Sequence, residues 1–222
     1  EAIRIALAYN TPVILLSELY LAIGSEPWRL PDISTLPEIP SNVVQPGEEF
    51  VIYKRDPDTL ARKVAFPGMA GFEHRVGGLE KDESGEVSYD ASNHEKMTCT
   101  RVEKVQAIAK SLPPTKINGS AGGRLLVLGW GGTYGAITSA VNRMQSEGFS
   151  VSSIVLRHLN PLPSDLGDIL SRFDKILIPE LNLGQLRLLI QAKYLREIIG
   201  FNKVQGQPFT VREMIEKIQE IF

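Results

Sequence analysis

Two loops of this chain hold residue types that suit chemistry. In the first loop, His74 and Arg75 stand in a stretch flanked by glycines. An imidazole beside a guanidinium suits the binding of a carboxylate or a diphosphate, because Arg donates paired hydrogen bonds and His changes charge near neutral pH. The sequence therefore predicts an active-site or interface loop at His74 and Arg75. The alternative is a structural loop in which Arg75 pairs with a nearby acid such as Glu73 or Glu80.

The second loop, residues 129–136 with the sequence GWGGTYGA, follows an apolar run and precedes a predicted helix. Two strict phosphate-binding motifs fail here, because a dinucleotide fingerprint needs glycine where Tyr134 stands and a P-loop needs a Lys that the segment lacks. What remains is a tight turn whose free backbone amides form a candidate anion-binding site at Gly131, Gly132 and Thr133.

Residue types also predict the backbone of this turn. Gly131 and Gly132 permit a left-handed or closely packed backbone, and Thr133 is suited to cap the following helix. Gly135 is expected to let that helix approach the sheet.

The other candidate residues favour structural roles. His94 lies at a predicted helix start, and His158 follows a predicted strand, where it faces either a ligand or solvent. Glu18 and Glu180 also follow predicted strands, and the favoured role of Glu18 is a carboxylate that stabilises a helix start. Cys99 is interpreted as a small buried residue. The three histidines lie far apart and lack the spacing of metal ligands, so no metal site is predicted.

Composition excludes several classes of protein. The chain has 222 residues, a net charge of −2 and one cysteine. Neither half carries the concentrated basic stripe that nucleic acid requires, and no apolar run approaches the length that spans a membrane. One cysteine forms no internal disulfide and fits a reducing cytoplasm. Because the sequence opens on Glu1 without Met, we expect a piece of a longer protein.

The C-terminal half alternates between strands and helices. The predicted strands are 125–129, 151–156 and 175–179, and the predicted helices are 134–147, 165–173, 185–194 and 211–221. Strands separated by helices of this length favour an α/β fold with a parallel sheet that has helices on both faces.

The N-terminal half is less regular. A predicted helix ends near Asn10, and residues 13–16 form a predicted buried strand whose parallel neighbours are not in this chain. Five prolines in residues 26–49 block regular helix. A capping box at residues 92–95 predicts a helix at 93–111.

Three segments carry a family resemblance. They are TPVILLSELYLAIGSEPW, PGMAGFEHRVGGLEKDESGEVSYDASNHEKM and LGWGGTYGAITSAVNRMQSEGFSVSSIVLRHLNPLP. In this order they resemble the C-terminal part of the alpha subunit of 2-oxoacid:ferredoxin oxidoreductases, especially the 2-oxoglutarate type. The resemblance implies the end of a pyrimidine-binding-type domain at residues 1–25, a connecting arm with one long helix at 26–119, and a domain like the transketolase C-terminal domain at 120–222.

The resemblance also implies a function. Such enzymes use thiamine diphosphate for oxidative decarboxylation of a 2-oxoacid, pass electrons through iron–sulfur clusters to ferredoxin, and give an acyl-coenzyme A. The implied partners are the upstream part of the same alpha subunit, a beta subunit with the diphosphate-binding domain, and ferredoxin. Thiamine diphosphate, Mg²⁺ and the cluster would be bound mainly outside this chain, so the chain alone is expected to be inactive and no catalytic residue is assigned to it.

Two other functions remain open at this point. One is a non-catalytic assembly or interaction module of a related thiamine-dependent complex, in which the proline-rich arm wraps a partner. The other is a nucleotide-binding α/β protein that relies on the turn at residues 129–136.

Overall fold

The computed structural model describes residues 1–222, which fall into two compact units. One unit comprises residues 1–15 and 27–112, and the other comprises residues 16–26 and 113–222.

The regular elements are as follows. The helices are α1 (Ala2–Tyr9), α2 (Leu19–Ile23), α3 (Ala91–Ile108), α4 (Tyr134–Ser146), α5 (Leu166–Ser171), α6 (Gln185–Tyr194) and α7 (Val211–Ile221). The strands are β1 (Gly123–Trp130), β2 (Val151–Leu156), β3 (Phe173–Glu180) and β4 (Ile199–Asn202). Short 3₁₀ turns lie at Ile33–Thr35, Ala109–Ser111 and Gly131–Thr133. None of the helices combines the length and the apolar character needed to cross a membrane.

The second unit is built on one parallel sheet with the strand order β2-β1-β3-β4. In its register, Leu125 of β1 lies opposite Val151 of β2 on one side and Lys175 of β3 on the other. The parallel α/β sheet predicted from the sequence is therefore confirmed. Strand β4 was not predicted, because its four residues, IGFN, are too few to show a strand period.

Successive residues of β1 face opposite sides of the sheet, and both sides are covered. Leu126 and Leu128 pack against α5 and α6, whereas Leu125 and Val127 pack against α4 and α7. A strand buried on both faces reads as a continuous apolar run, which is why its position was visible in the sequence.

The strand order creates a reversal point between β1 and β3. The chain leaves β1 for β2 on one side, and it then crosses to β3 on the other side of β1. In open α/β sheets, ligands bind outside the carboxyl ends of the strands at such a point. The loops after β1 and β3 are therefore the first place to look for a site.

In the first unit, α1 and α3 share a small core of Ile5, Tyr9 and Ile108. Asn10 ends α1 in the left-handed conformation, with φ 45°, as its residue type predicts. The rest of this unit is irregular and joined by isolated backbone bridges, among them one between Arg55 and Arg62.

Two expectations for the N-terminal half are wrong. The helix α3 starts at Ala91 rather than Asn93, because Asp90 provides the cap: its carboxylate accepts a hydrogen bond from the Asn93 amide at 2.8 Å. Residues 13–16 form no strand, and Ile14 and Leu15 are 82% and 79% exposed. A strand needs a hydrogen-bonded neighbour, and none of the four strands pairs with this segment.

The last helix, α7, begins with a reciprocal cap. Thr210 Oγ1 accepts from the Glu213 amide at 3.2 Å, and the Thr210 amide donates to Glu213 Oε2 at 2.7 Å. Lys203 Nζ donates to both carboxylate oxygens of Glu213 at 2.8 and 3.0 Å. The ammonium of Lys203 and then the Thr210 amide lower the pKa of Glu213 from 4.5 to about 2.

This cap predicts a pH-dependent contribution to stability. Because the folded state lowers the pKa of Glu213, its contribution is complete above pH 4.5 and is lost as the pH falls towards about 2. The melting temperature of Glu213→Gln should therefore lie below that of the unmodified protein at pH 7, and the difference should shrink as the pH falls through this window. Thermal unfolding monitored by circular dichroism measures it.

The matched control is Glu216→Gln on the same helix, whose carboxylate lies 3.7 Å from Arg212 Nε on the surface. We expect the control to stay close to the unmodified protein at every pH, since exposed pairs contribute little. An equal, pH-independent loss in both variants would contradict the assignment.

Candidate functional site

The turn after β1 is held by one buried hydroxyl. Thr133 Oγ1 donates to the Trp130 carbonyl at 2.8 Å and accepts from the Trp130 amide at 3.1 Å. Thr133 is buried. Gly131 has φ 56°, in the left-handed region that favours glycine. Together these residues turn the chain sharply from β1 into α4 at the carboxyl edge of the sheet.

Glu18 lies directly against this turn. Its carboxylate is so close to Gly132 that a side chain at that position would overlap Glu18 Oε1. Glu18 immediately precedes α2 but makes no side-chain hydrogen bond to that helix. Glu18 therefore stands at a helix start, as its favoured role requires, but its carboxylate forms no cap hydrogen bond there and lies against Gly132 instead. The candidate anion-binding turn therefore already has an acidic side chain of this same chain, Glu18, beside it.

A second detail of the turn also differs from expectation. A Cβ at Gly135 would meet nothing, so this glycine does not bring α4 closer to the sheet. The close approach is at Gly129, where a Cβ would overlap the Ile137 side chain. Absence of a side chain on the strand, rather than on the helix, allows the two elements to pack.

On the other side of the reversal point, Glu180 ends β3 in a fully buried position. Its Oε2 accepts from the Leu186 amide at 2.9 Å and its Oε1 accepts from the Arg187 amide at 2.8 Å. These are free amides of the first turn of α6, so the carboxylate satisfies them and stabilises the helix start. Of the two alternatives for Glu180, the structure supports the structural one.

The loop between β3 and α6 adds further polar groups at this edge. Asn182 Oδ1 accepts from the Gly184 amide at 2.7 Å, and the Asn182 carbonyl accepts from Asn202 Nδ2 at 2.9 Å. The Arg187 Nε atom is buried and has no hydrogen-bond partner. No site was predicted at Asn182, Asn202 and Arg187, because nothing in their spacing along the chain marks them as neighbours.

The loop of His74 belongs to the first unit. His74 Nδ1 lies 2.9 Å from the Phe72 carbonyl, and the ring lies edge-on to Phe50 with centroids 5.3 Å apart. Because a carbonyl only accepts, Nδ1 carries the proton and Nε2 of the neutral ring is left as an acceptor. Arg75 Nη1 pairs with Glu86 Oε2 at 3.1 Å rather than with Glu73 or Glu80.

The remaining sequence candidates lie apart from both places. His94 Nδ1 donates to Glu80 Oε2 at 2.6 Å on the surface of α3. His158 is half-buried after β2. Cys99 is exposed, so the prediction of a buried cysteine is wrong; it lies on a face of α3 that no other element covers. No group of three or more His, Cys, Asp and Glu is placed to hold a metal ion.

Comparison with known proteins finds relatives of one kind. No family model matches the chain. The 2-oxoglutarate oxidoreductase subunit KorA of Mycobacterium tuberculosis is 45% identical over 96% of this chain. The 2-oxoglutarate synthase subunit KorA of Methanothermobacter marburgensis is 26% identical over 98% of this chain. The chain spans 33% of the first relative and 58% of the second.

A solved structure is also similar. The 2-oxoglutarate:ferredoxin oxidoreductase from Magnetococcus marinus, with 2-oxoglutarate, coenzyme A and succinyl-CoA bound, superposes with a TM-score of 0.91 at 27% identity. The likeness covers 98% of this chain and 38% of that one.

The buried cap at Glu180 predicts a large loss of stability on substitution. In Glu180→Gln, one amide oxygen replaces two carboxylate oxygens, and the new NH₂ faces a backbone donor. We expect the free energy of unfolding to fall by about 1.5–3 kcal/mol. Urea unfolding measures it, and Asp174→Asn, at an exposed position of the same strand, is the control that should change little. A loss no larger than that of the control would contradict the role of Glu180.

From the geometry of the turn after β1, we expect alanine at Gly132 and alanine at Gly135 to change the free energy of unfolding in opposite directions. Gly132→Ala should displace the Glu18 carboxylate and lower the free energy of unfolding, by about 1 kcal/mol because the displaced group ends a flexible side chain. Gly135→Ala, in the open first turn of α4, should raise it by about 0.5–1 kcal/mol. Denaturant unfolding of both variants tests this. Adding Glu18→Ala to Gly132→Ala should remove the loss, and equal effects of the two single alanines would refute the contact.

Proposed function

Because this chain corresponds, over nearly its whole length, to the C-terminal part of 2-oxoacid:ferredoxin oxidoreductase alpha subunits, we propose that it works within a thiamine diphosphate-dependent 2-oxoglutarate:ferredoxin oxidoreductase. The enzyme would convert 2-oxoglutarate oxidatively to an acyl-coenzyme A and pass the electrons to ferredoxin. The observation that carries the proposal is the 45% identity to the M. tuberculosis subunit, sustained over 96% of the chain.

The cofactors of that reaction do not fit the residues of this chain. Iron–sulfur clusters are held by several cysteine thiolates, whereas Cys99 is the single cysteine here. Mg²⁺ prefers clustered carboxylates, and no such cluster is present. We therefore propose that Mg²⁺ and the cluster are bound mainly outside this chain, in the upstream part of the subunit and in a beta subunit. The family resemblance implies the same for thiamine diphosphate. Thiamine diphosphate supplies the electron sink when bound.

The loop of His74 and Arg75 is our proposed contact with the active site or with a neighbouring subunit. The bond from Nδ1 to the Phe72 carbonyl orients the imidazole and leaves Nε2 to accept a proton or a hydrogen bond. Arg75 and Glu86 form an exposed pair, with side chains 55% and 70% accessible. Such pairs contribute about 0–1 kcal/mol, so Arg75 can exchange Glu86 for an incoming carboxylate at little cost.

We propose that the second unit, which contains the sheet, serves as a structural scaffold in the same oxidoreductase complex. The Glu18 carboxylate lies against Gly132 in the turn at Gly131, Gly132 and Thr133, so this acidic group stands at the carboxyl edge of the sheet. Part of this proposal is that the second unit is a domain like the transketolase C-terminal domain, as the sequence resemblance implies. A free exposed thiol fits a cytoplasmic location.

One observation favours a second role, as an assembly module. In the second unit, large apolar side chains are exposed on and next to α2, and monomeric proteins rarely leave many such side chains uncovered in one segment. They are Leu16, Leu19, Tyr20, Leu21 and Ile23. In this role the chain would bind its partner subunits without contributing a group to the reaction.

The test is an assay of the intact protein purified with its associated subunits. We expect reduction of ferredoxin that depends on both 2-oxoglutarate and coenzyme A. His74→Ala should lower the rate about tenfold or more, whether the ring transfers a proton or positions a partner. Tyr89→Ala removes an exposed ring in the same unit and should leave the rate unchanged.

The outcomes separate the two roles. A complex that assembles and stays fully active with His74→Ala would favour the assembly module and remove His74 from the site. No reduction with any 2-oxoacid would overturn the proposed function.

A further inference from the structure

A cavity of about 340 Å³ in the first unit is lined by an unusual excess of positive side chains. Its cationic members are Arg55, Arg62, Lys81, Arg101 and Lys104. The sequence around them shows no basic run, because these residues are drawn from separate segments and from α3. The fold alone brings them together.

The cavity holds too few negative side chains to balance its five positive ones. Glu80 is the one acidic residue of the lining. Its two oxygens are already engaged, since Oε1 accepts from Arg101 Nη1 at 2.9 Å and Oε2 accepts from His94 Nδ1 at 2.6 Å. Four cations are therefore left without a carboxylate.

Backbone carbonyls orient three of those four cations. Lys81, only 3% exposed, donates from Nζ to the carbonyls of Gly77 at 2.9 Å and Leu79 at 2.7 Å. Lys104 Nζ donates to the Asn10 carbonyl at 2.9 Å. Arg55 Nη1 similarly donates to the Leu60 carbonyl at 3.0 Å. Neutral acceptors fix these side chains in place but leave their charges uncompensated.

Among these four cations, Arg62 has the fewest polar contacts through its side chain. Its guanidinium lies 5.5 Å from the centre of the Tyr53 ring, and its side chain forms no ion pair. Arg62 faces Arg55 across the antiparallel bridge, where like charges are unfavourable. Burial is the main cause that lowers the pKa of Arg55, and the positive charge of Arg62 lowers it further. The pKa of Lys104 is also lowered, mainly by burial and then by the charges of Arg55 and Arg62.

We propose that this cavity is a binding site for a small phosphate anion of the diphosphate class. Guanidinium groups match phosphate oxygens in paired hydrogen bonds, and lysines supply further charge. The volume lies at the lower end of the range for small-molecule sites, about 300–1,000 Å³, which suits a diphosphate better than a protein segment. The proposal does not depend on the 2-oxoacid reaction, because it is argued only from the charges and contacts of the residues that line the cavity.

The experiment measures diphosphate binding to the intact protein by calorimetry, at low ionic strength and without Mg²⁺. We expect saturable binding that Arg62→Gln weakens about tenfold or more, through the loss of charged hydrogen bonds. Lys63→Gln is the matched control, since Lys63 is the next residue along the chain, lies outside the cavity and pairs with Glu48. The control should bind as the unmodified protein does.

Thermal unfolding gives a second measure that a purely structural role for Arg62 would not give. Without diphosphate, Arg62→Gln should be at least as stable as the unmodified protein, because it relieves repulsion with Arg55. With diphosphate, the unmodified protein and Lys63→Gln should gain clearly more melting temperature than Arg62→Gln.

Competition identifies the source of the anion. Coenzyme A carries a diphosphate, and its displacement of bound diphosphate from this site would identify it as the ligand. Diphosphate binding that depends on Arg62 and resists coenzyme A would identify a free phosphate compound. Absence of saturable binding, or equal weakening by Arg62→Gln and Lys63→Gln, would overturn the proposal.

Discussion

The double-sided burial of β1 is the constraint on which the sheet unit depends. Residues 125–128 have no exposed surface, so helices must cover both faces of the strand. The chain satisfies this by placing α4 and α7 on one face and α5 and α6 on the other. Covering both faces requires the connections to run to both sides of β1. That requirement produces the reversal point between β1 and β3, and it places their two loops side by side.

The groups at this edge illustrate how the fold balances charge. Glu180 is fully buried, yet its two oxygens meet the free amides of α6, so the carboxylate and the helix start satisfy one another. Glu18 instead meets a turn whose glycine provides the space for it. Both carboxylates belong to the chain itself, so acidic groups stand at this edge of the sheet before any ligand binds.

The first unit shows the opposite balance. Its cavity gathers cations held by neutral carbonyls, and its one carboxylate, Glu80, is fully engaged. Gathering like charges costs free energy unless something offsets it. A structure that positions Lys81 and Lys104 so specifically, without providing acids for them, is built like a site that receives its negative charge from outside.

Most helices and strands of this fold could be predicted from the sequence, because the patterns that indicate them lie within each element. The bounds of β2, α6 and α7 agree with those predicted, since apolar period and capping residues act within one element. The family resemblance likewise depended on contiguous segments, with GWGGTYGA marking the first turn of the sheet unit. Expectations failed where two neighbouring residues competed for one role, as Asp90 and Ser92 did at the start of α3.

By itself, therefore, the sequence determined the α/β class, the order of most elements and a family resemblance. Only the tertiary structure decided that Glu18 meets Gly132, that β4 extends the sheet, and that separated cations line one cavity. These relations join residues far apart along the chain. The distance between such residues is set by how whole elements pack, and no spacing or period in the sequence records it.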